Sequence, residues 1–399
     1  MIANIRKKRL YKILVWTGVA VCAATLLWRG SVIFGGFDWY SRDDFVDYWS
    51  AGRLNLLGIN PYDSEQSRNL QTDAGIYNGG AVLMWNPPWI LSILMPFAIF
   101  NYPFSRLGWL LISLLIVFLS SNTLWVIYRG NDKFRWVSWL LGLTFLPVLD
   151  LFQKGQTGVF ILLGVVGFLY FTSQRRFLLA GVALSFLLVK PHLGYLFLLA
   201  VGLWTLSERV WPVIWGFIGA VLISILVAWI PNQNVISQYL FAISNFPPLV
   251  MATPTLGGIM RLLVGIEHAW LQFLPPLIGS FWFLIYWYRN RKSWDWISQA
   301  PILIIISIVT AAYYWSFDQA VLLIAIIQVF AILSVRKLDY VSGLIIFVYI
   351  LIDIFDLISP PNEILLWWLA PSLLLWYLAS RWLIDRKTDY VIGEPELIN

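Results

Sequence analysis

Seven carboxylates fall between residues 38 and 73: Asp38, Asp43, Asp44, Asp47, Asp63, Glu65 and Asp73. Within Asp38-Trp-Tyr-Ser-Arg-Asp43-Asp44-Phe-Val-Asp47-Tyr48-Trp49, a helical reading puts Asp44 and Tyr48 one turn apart on one face and Asp43 and Asp47 on another. A carboxylate so placed can act as general base toward a hydroxyl nucleophile that comes within hydrogen-bond reach. A solvated acidic loop flanked by turn residues, as in Gly58-Ile-Asn60-Pro61-Tyr62, is the plainer alternative.

The second set of candidates is cationic. Lys190-Pro191-His192 follows the apolar run 177–189. As a helix that run rises only about 20 Å, short of a ~30 Å hydrocarbon core, so Lys190 is expected below the outer headgroups. An ionisable residue at that depth is a functional-site candidate, and a phosphate is a natural partner for a lysine point charge. A Lys snorkelling from a helix end is the alternative. Lys154, with Gln153 and Gln156, forms another cationic turn, although Asp150 four residues earlier offers a simple partner. Arg261 follows Gly257-Gly258, a pair that allows close backbone approach to a ligand or merely makes a turn. Asp318 stands where a polar turn enters an apolar run, which a helix N-cap alone would explain. The chain has two His and one Cys, Cys22, and no His, Cys or carboxylate grouping has metal-ligand spacing. No metal and no cofactor is therefore expected. Trp39, Trp49 or Trp85 can stack on the ring of a ligand, whereas Trp109, Trp367 and Trp368 read as interface anchors.

These residues must be positioned by elements that live in lipid. Of the chain, 60% is hydrophobic and 12% charged, against about 25% charged in a soluble domain. Apolar runs recur along its whole length and are continuous rather than alternating, so the fold class is all-α, a polytopic transmembrane helix bundle and not a barrel. The net charge of +6 sits in small clusters at helix ends. That distribution signals topology and gives no ground for nucleic-acid binding. Placing the basic links inside puts both termini in the cytoplasm and yields roughly 12 spans at ~20 residues each. The first, at 11–33, follows Arg6-Lys7-Lys8-Arg9 and lacks a cleavage motif, so it reads as an uncleaved span rather than a signal peptide. The apolar stretch 88–100 is too short to cross and is expected to be a re-entrant or interfacial helix. A single membrane domain, 1–399, results. It has a first outer loop at 34–87, a second at 231–267, short outer turns at 153–156, 190–192, 315–319 and 359–363, and a cytoplasmic tail at 381–399.

An ordered series of short motifs runs through this frame. Asp44-Phe-x-x-Tyr48-Trp49-x-Ala-Gly and Gly58-x-Asn-Pro-Tyr62 are followed by Trp85-Asn86-Pro87-Pro88, heading a helix that closes on Met95-Pro96-Phe97. Then come Gly155-Gln156, Ala180-Gly181 to Lys190-Pro191, Thr255-Leu-Gly-Gly-Ile-Met-Arg261 and Tyr313-Tyr-Trp-Ser-Phe-Asp318-Gln. In this order they resemble the polyprenol-phosphate-mannose-dependent mannosyltransferase-like family, glycosyltransferase family 87 of the GT-C superfamily. The resemblance implies a GT-C-like fold and inverting transfer of a hexose, mannose by the family's name, from a polyprenyl-phosphate donor to a lipid or glycan acceptor at the outer face of the cell membrane. It makes an Asp of the first outer loop the base, with Asp44 the best match and Asp43 and Asp47 the neighbours to weigh. Lys190, His192, Lys154 and Arg261 would serve the donor phosphate, and Gln156, Asp318, Tyr48, Trp85 and Asn86 the sugar or acceptor. The family's Tyr-Pro-Pro is Asn86-Pro87-Pro88 here, and some relatives carry His at the position of Asp318. Rival readings are a transporter or flippase for lipid-linked sugars and a lipid-diphosphate-dependent glycan polymerase or ligase. The absence of a visible duplication speaks against the transporter.

Overall fold

The computed structural model describes Ala24 and residues 44–76, 81–245, 252–337, 339–359 and 362–392, the last six by backbone alone. Asp43, Trp39, Cys22 and, apart from Ala24, the expected span at 11–33 lie outside the described residues.

Among the described residues the chain is all helix and connection, with no strand. The helices are α1 (Phe45–Leu56), α2 (Ser64–Asp73), α3 (Leu91–Ala98), α4 (Tyr102–Ile127), α5 (Trp136–Thr144), α6 (Leu146–Lys154), α7 (Gly158–Ser173), α8 (Phe177–Leu184) and α9 (Tyr195–Glu208). They continue as α10 (Trp211–Trp229), α11 (Val235–Asn245), α12 (Leu256–Val264), α13 (Leu274–Asn290), α14 (Trp296–Val309), α15 (Leu323–Ser334), α16 (Tyr340–Ile358) and α17 (Leu369–Ile392).

Among the described residues six helical stretches are long and apolar enough to cross a membrane: Tyr102–Ile127, Trp211–Trp229, Ala269–Ser293, Ser316–Ser334, Tyr340–Ile358 and Glu363–Arg386. The bent pair of Asp132–Thr144 and Leu146–Lys154, meeting at 54°, makes a seventh if it is one span. The bend has a sequence cause. Pro147 has no N–H to donate, and its ring clashes with a preceding-turn carbonyl, so the helix breaks at Phe145 and restarts. The expectation of roughly 12 full spans counted further runs that form only short apolar helices, Gly158–Ser173, Phe177–Val189 and Trp296–Val309 among them. Pro88–Ala98 is likewise short: a 3-10 turn, Pro88–Ile90, runs into α3, and the whole rises about 16 Å.

The bundle is organised around Ser316–Ser334, nearly all of which is buried, and Asp318 sits at its entry. Close packing elsewhere depends on missing side chains. A Cβ on Gly181 would lie 2.0 Å from the Val213 carbonyl oxygen, and one on Gly216 2.0 Å from that of Leu178. Each glycine thus admits the other helix's backbone, and α8 and α10 lie against each other as small-residue membrane helices do. On α4, Tyr102, Ser105, Arg106, Trp109, Ser113 and Ile116 recur at helical spacing and form the buried face. Trp109 belongs to that face and is not the interface anchor expected from sequence: it is fully buried, its ring 5.0 Å from Phe45 and 5.5 Å from Phe160.

Candidate active site

The site is built at two helix breaks. After α8 the chain tightens into a 3-10 turn, Ser185–Val189, and Pro191, which cannot continue the ladder, opens a further turn, Pro191–Gly194. Lys190 lies between them in a non-helical conformation. Its ammonium donates to Asp318 Oδ1 at 2.6 Å and to Gln156 Oε1 at 3.1 Å, and lies 4.8 Å from the Phe317 ring centroid. The Asp318 side chain is fully buried and that of Lys190 is 10% exposed. The other Asp318 oxygen accepts from the Trp315 amide at 3.0 Å. A charge pair removed from water holds only when its remaining valences are satisfied in this way.

The second break follows α6. Gly155 adopts a left-handed conformation, φ 64°, which a side chain would oppose, and Gln156 N donates back to Leu151 O at 3.0 Å. Arg106, from the buried face of α4, donates to the Phe152 and Gln153 carbonyls at 2.7 and 3.0 Å, placing a cation at the negative end of α6. The same turn anchors the start of α1, because Asp44 N donates to Lys154 O at 3.0 Å.

Asp44 is the N-cap of α1, yet its carboxylate makes no cap hydrogen bond. Asp63, Asp295 and Asp339, in the same position on other helices, each accept amide hydrogens of their own helix. The Asp44 carboxylate instead takes Gln156 Nε2–H at 2.8 Å. Gln156 Oε1 accepts from Tyr48 Oη at 3.0 Å as well as from Lys190. Burial, with Asp47 adding to it, pushes the Tyr48 phenol well above its usual range, so it stays a proton donor. One amide therefore joins a carboxylate on one side to a lysine–aspartate pair on the other.

The remaining sequence candidates distribute around this line. The ion pair of Lys154 is made with Glu363, 209 positions later, and Lys154 also lies 5.0 Å from the Phe317 ring. Asn86 donates to Val189 O at 3.0 Å and its own carbonyl accepts from Tyr62 Oη at 3.1 Å, while Trp89 donates to Leu188 O at 2.9 Å. Asn86 thus braces the turn that presents Lys190. His192 Nε2 is buried without a hydrogen-bond partner, and burial pushes its imidazole down to about 4, so at neutral pH it offers a neutral ring rather than a positive charge. Trp85 is 37% exposed. Asp47 is buried on α1, and it is Asp44 that takes the Gln156 amide. Arg261, buried on α12, gives hydrogen bonds to Ile266 O and to Gln272 Oε1 on the 3-10 turn Ala269–Phe273. Sequence reasoning missed Arg106, Glu363 and Phe317. Arg106 had a legible signal, since it shares a helical stripe with Tyr102 and Trp109 on an otherwise apolar helix.

Among the described residues no group of three or more His, Cys, Asp or Glu can hold a metal ion. The arrangement can accept a proton at Asp44, donate hydrogen bonds from Lys190 and hold the two in fixed relation through Gln156. Comparison with curated proteins and comparison with solved structures gave no match. The model of glycosyltransferase family 87 does match, over residues 84–335. That stretch contains Gln156, Lys190, Arg261 and Asp318, whereas Asp44 and Tyr48 precede it. Because the match covers more than half of an all-helical chain with several membrane-length helices, the chain belongs to glycosyltransferase family 87 and is a membrane glycosyltransferase.

Proposed function

We propose that the protein transfers a hexose, in keeping with the family mannose, from a polyprenyl-phosphate donor to a hydroxyl of a lipid or glycan acceptor at the outer face of the cell membrane. The observation that carries this reading is the meeting of Asp44 and Lys190 on the Gln156 amide. Asp44 takes the proton of the acceptor hydroxyl as that oxygen forms a bond to the anomeric carbon. The bond from that carbon to the phosphate oxygen breaks, and its electron pair leaves with the polyprenyl phosphate. An ammonium has three N–H donors, and Asp318 and Gln156 engage two of Lys190's. The third would go to the leaving oxygen, where a preorganised cation stabilises developing charge. His192 would add a neutral hydrogen-bonding group beside it, with Lys154 and Arg261 as outer cations. Asp318 and Asn86 act here by presenting Lys190, and Tyr48 and Trp85 flank the sugar side.

A lipid-borne donor also needs a place for its tail. An apolar groove of about 440 Å³ runs between Trp89, Ile93, Val182, Phe186, Val189 and Trp215, and its lining includes Val189, the residue before Lys190. Its shape and lining suit an isoprenoid chain leading to a phosphate at that lysine. Purified protein in vesicles, supplied with labelled hexose on a polyprenyl monophosphate, is expected to label an added lipid or glycan acceptor. An excess of polyprenyl diphosphate sugar should compete weakly. Labelled donor that only changes leaflet, with no glycoside formed, would establish the flippase instead, and preference for the diphosphate would establish a polymerase or ligase.

A further inference from the structure

We infer that Gln156 is a positioning residue whose amide aims the Asp44 carboxylate and keeps it apart in charge from the Lys190–Asp318 pair, rather than a contact for the sugar. The inference rests on the reading of Asp44 as the base.

The orientation of the amide follows from the chemistry of its neighbours. Lys190 has only donors, and the protonated Tyr48 hydroxyl donates to the same atom, so the oxygen Oε1 must face them. The nitrogen is thereby turned to Asp44, to which it gives a hydrogen bond at 2.8 Å. Three donors and acceptors of the side chain are engaged by protein groups, and Gln156 is 5% exposed, which leaves little of it for a ligand. The backbone agrees. The left-handed Gly155 sets where Gln156 emerges, and Asp44 N is tied to the carbonyl of Lys154 in the same turn. Both the main chain and the carboxylate of Asp44 therefore take their place from residues 154–156.

The charge arithmetic explains why a neutral amide stands there. A cation at this position would pair with Asp44 directly and weaken it as a base, and an anion would set two carboxylates side by side and make them share a proton. Glutamine holds the carboxylate by a hydrogen bond with no net charge of its own.

Two substitutions test this. Gln156→Met keeps the volume and removes all three hydrogen bonds, and kcat is expected to fall about 100-fold with KM changed less than about threefold, the cost of a misplaced reacting group. Gln156→Glu keeps the shape but adds a carboxylate beside Asp44. Its kcat–pH profile should keep its form while the acid limb moves upward by about one pH unit or more, so that the loss relative to the wild type is greatest at low pH and shrinks as the pH rises. A merely structural glutamine would give equal losses at every pH. The inference is overturned if the Gln156→Met enzyme keeps its wild-type kcat, or if the Gln156→Glu profile overlays that of the wild type. Asp44→Asn assayed in parallel separates the two layers. An inactive Asp44→Asn beside a fully active Gln156→Met removes only the role of Gln156, whereas an active Asp44→Asn removes the base and this inference with it.

Discussion

At the scale of the residue, the distinction between acids that cap a helix and the acid proposed to act as base is physical. Asp63, Asp295 and Asp339 spend their carboxylates on helix amides, and the Asp44 carboxylate faces a side-chain amide instead. In the sequence Lys190 stood out by its expected depth below the headgroups, whereas Asp44 was preferred to Asp43 and Asp47 only through the family resemblance. The link between them was not legible. Gln156 lies 112 positions from Asp44 and 34 from Lys190, and no local pattern predicts which way an amide will turn. The same holds for Lys190 and Asp318, whose pairing gives a prediction. Removing one member of a buried pair strands the other charge, so Asp318→Ala should lower stability by about 3–5 kcal/mol in thermal unfolding of the detergent-solubilised protein. The double variant Lys190→Met/Asp318→Leu should recover most of that stability and remain inactive. Equal thermal stability of the single variant and the wild type would show that the pair does not hold the break at residue 190.

Helices and their interruptions follow the sequence more closely. Pro191 and Gly155 announce the two breaks that build the site, since the proline cannot donate to the preceding turn and the glycine enters the left-handed conformation without strain. The buried stripe of α4 is written in its 3.6-residue periodicity, and the reading of Trp109 as an interface anchor erred by treating residue type ahead of helical phase. What the sequence could not reveal is the length of each helix: the stretches at 177–189 and 300–314, read as spans, fall in apolar helices of 10–17 residues. The α8–α10 contact is a consequence of Gly181 and Gly216, and it forms one wall of the apolar groove beside Lys190. A Gly216→Leu substitution would drive a side chain into the Leu178 carbonyl, which is backbone and cannot step aside. The expected outcome is a lower melting temperature together with a raised KM for the lipid donor and a kcat lowered far less. An unchanged KM in a stable Gly216→Leu protein would argue that the tail does not lie along this wall.

For the molecule as a whole, composition alone established a helical membrane protein, and the motif order pointed to the family that the match over residues 84–335 now shows. The long acidic segment after the first apolar run contributes Asp44 to a hydrogen-bonded cluster otherwise made by the turns at 153–156, 190–192 and 315–319, four pieces of chain joined only by folding. That convergence is what the transfer mechanism requires, because base and leaving-group cation must face the same sugar. The most direct test is a single-turnover experiment in vesicles with labelled polyprenyl-phosphate hexose and saturating acceptor, comparing wild type with a folded Asp44→Asn variant. The account predicts that donor binding persists while the rate of glycoside formation falls by about 10³-fold or more. Glycoside formation at the wild-type rate by Asp44→Asn would contradict it.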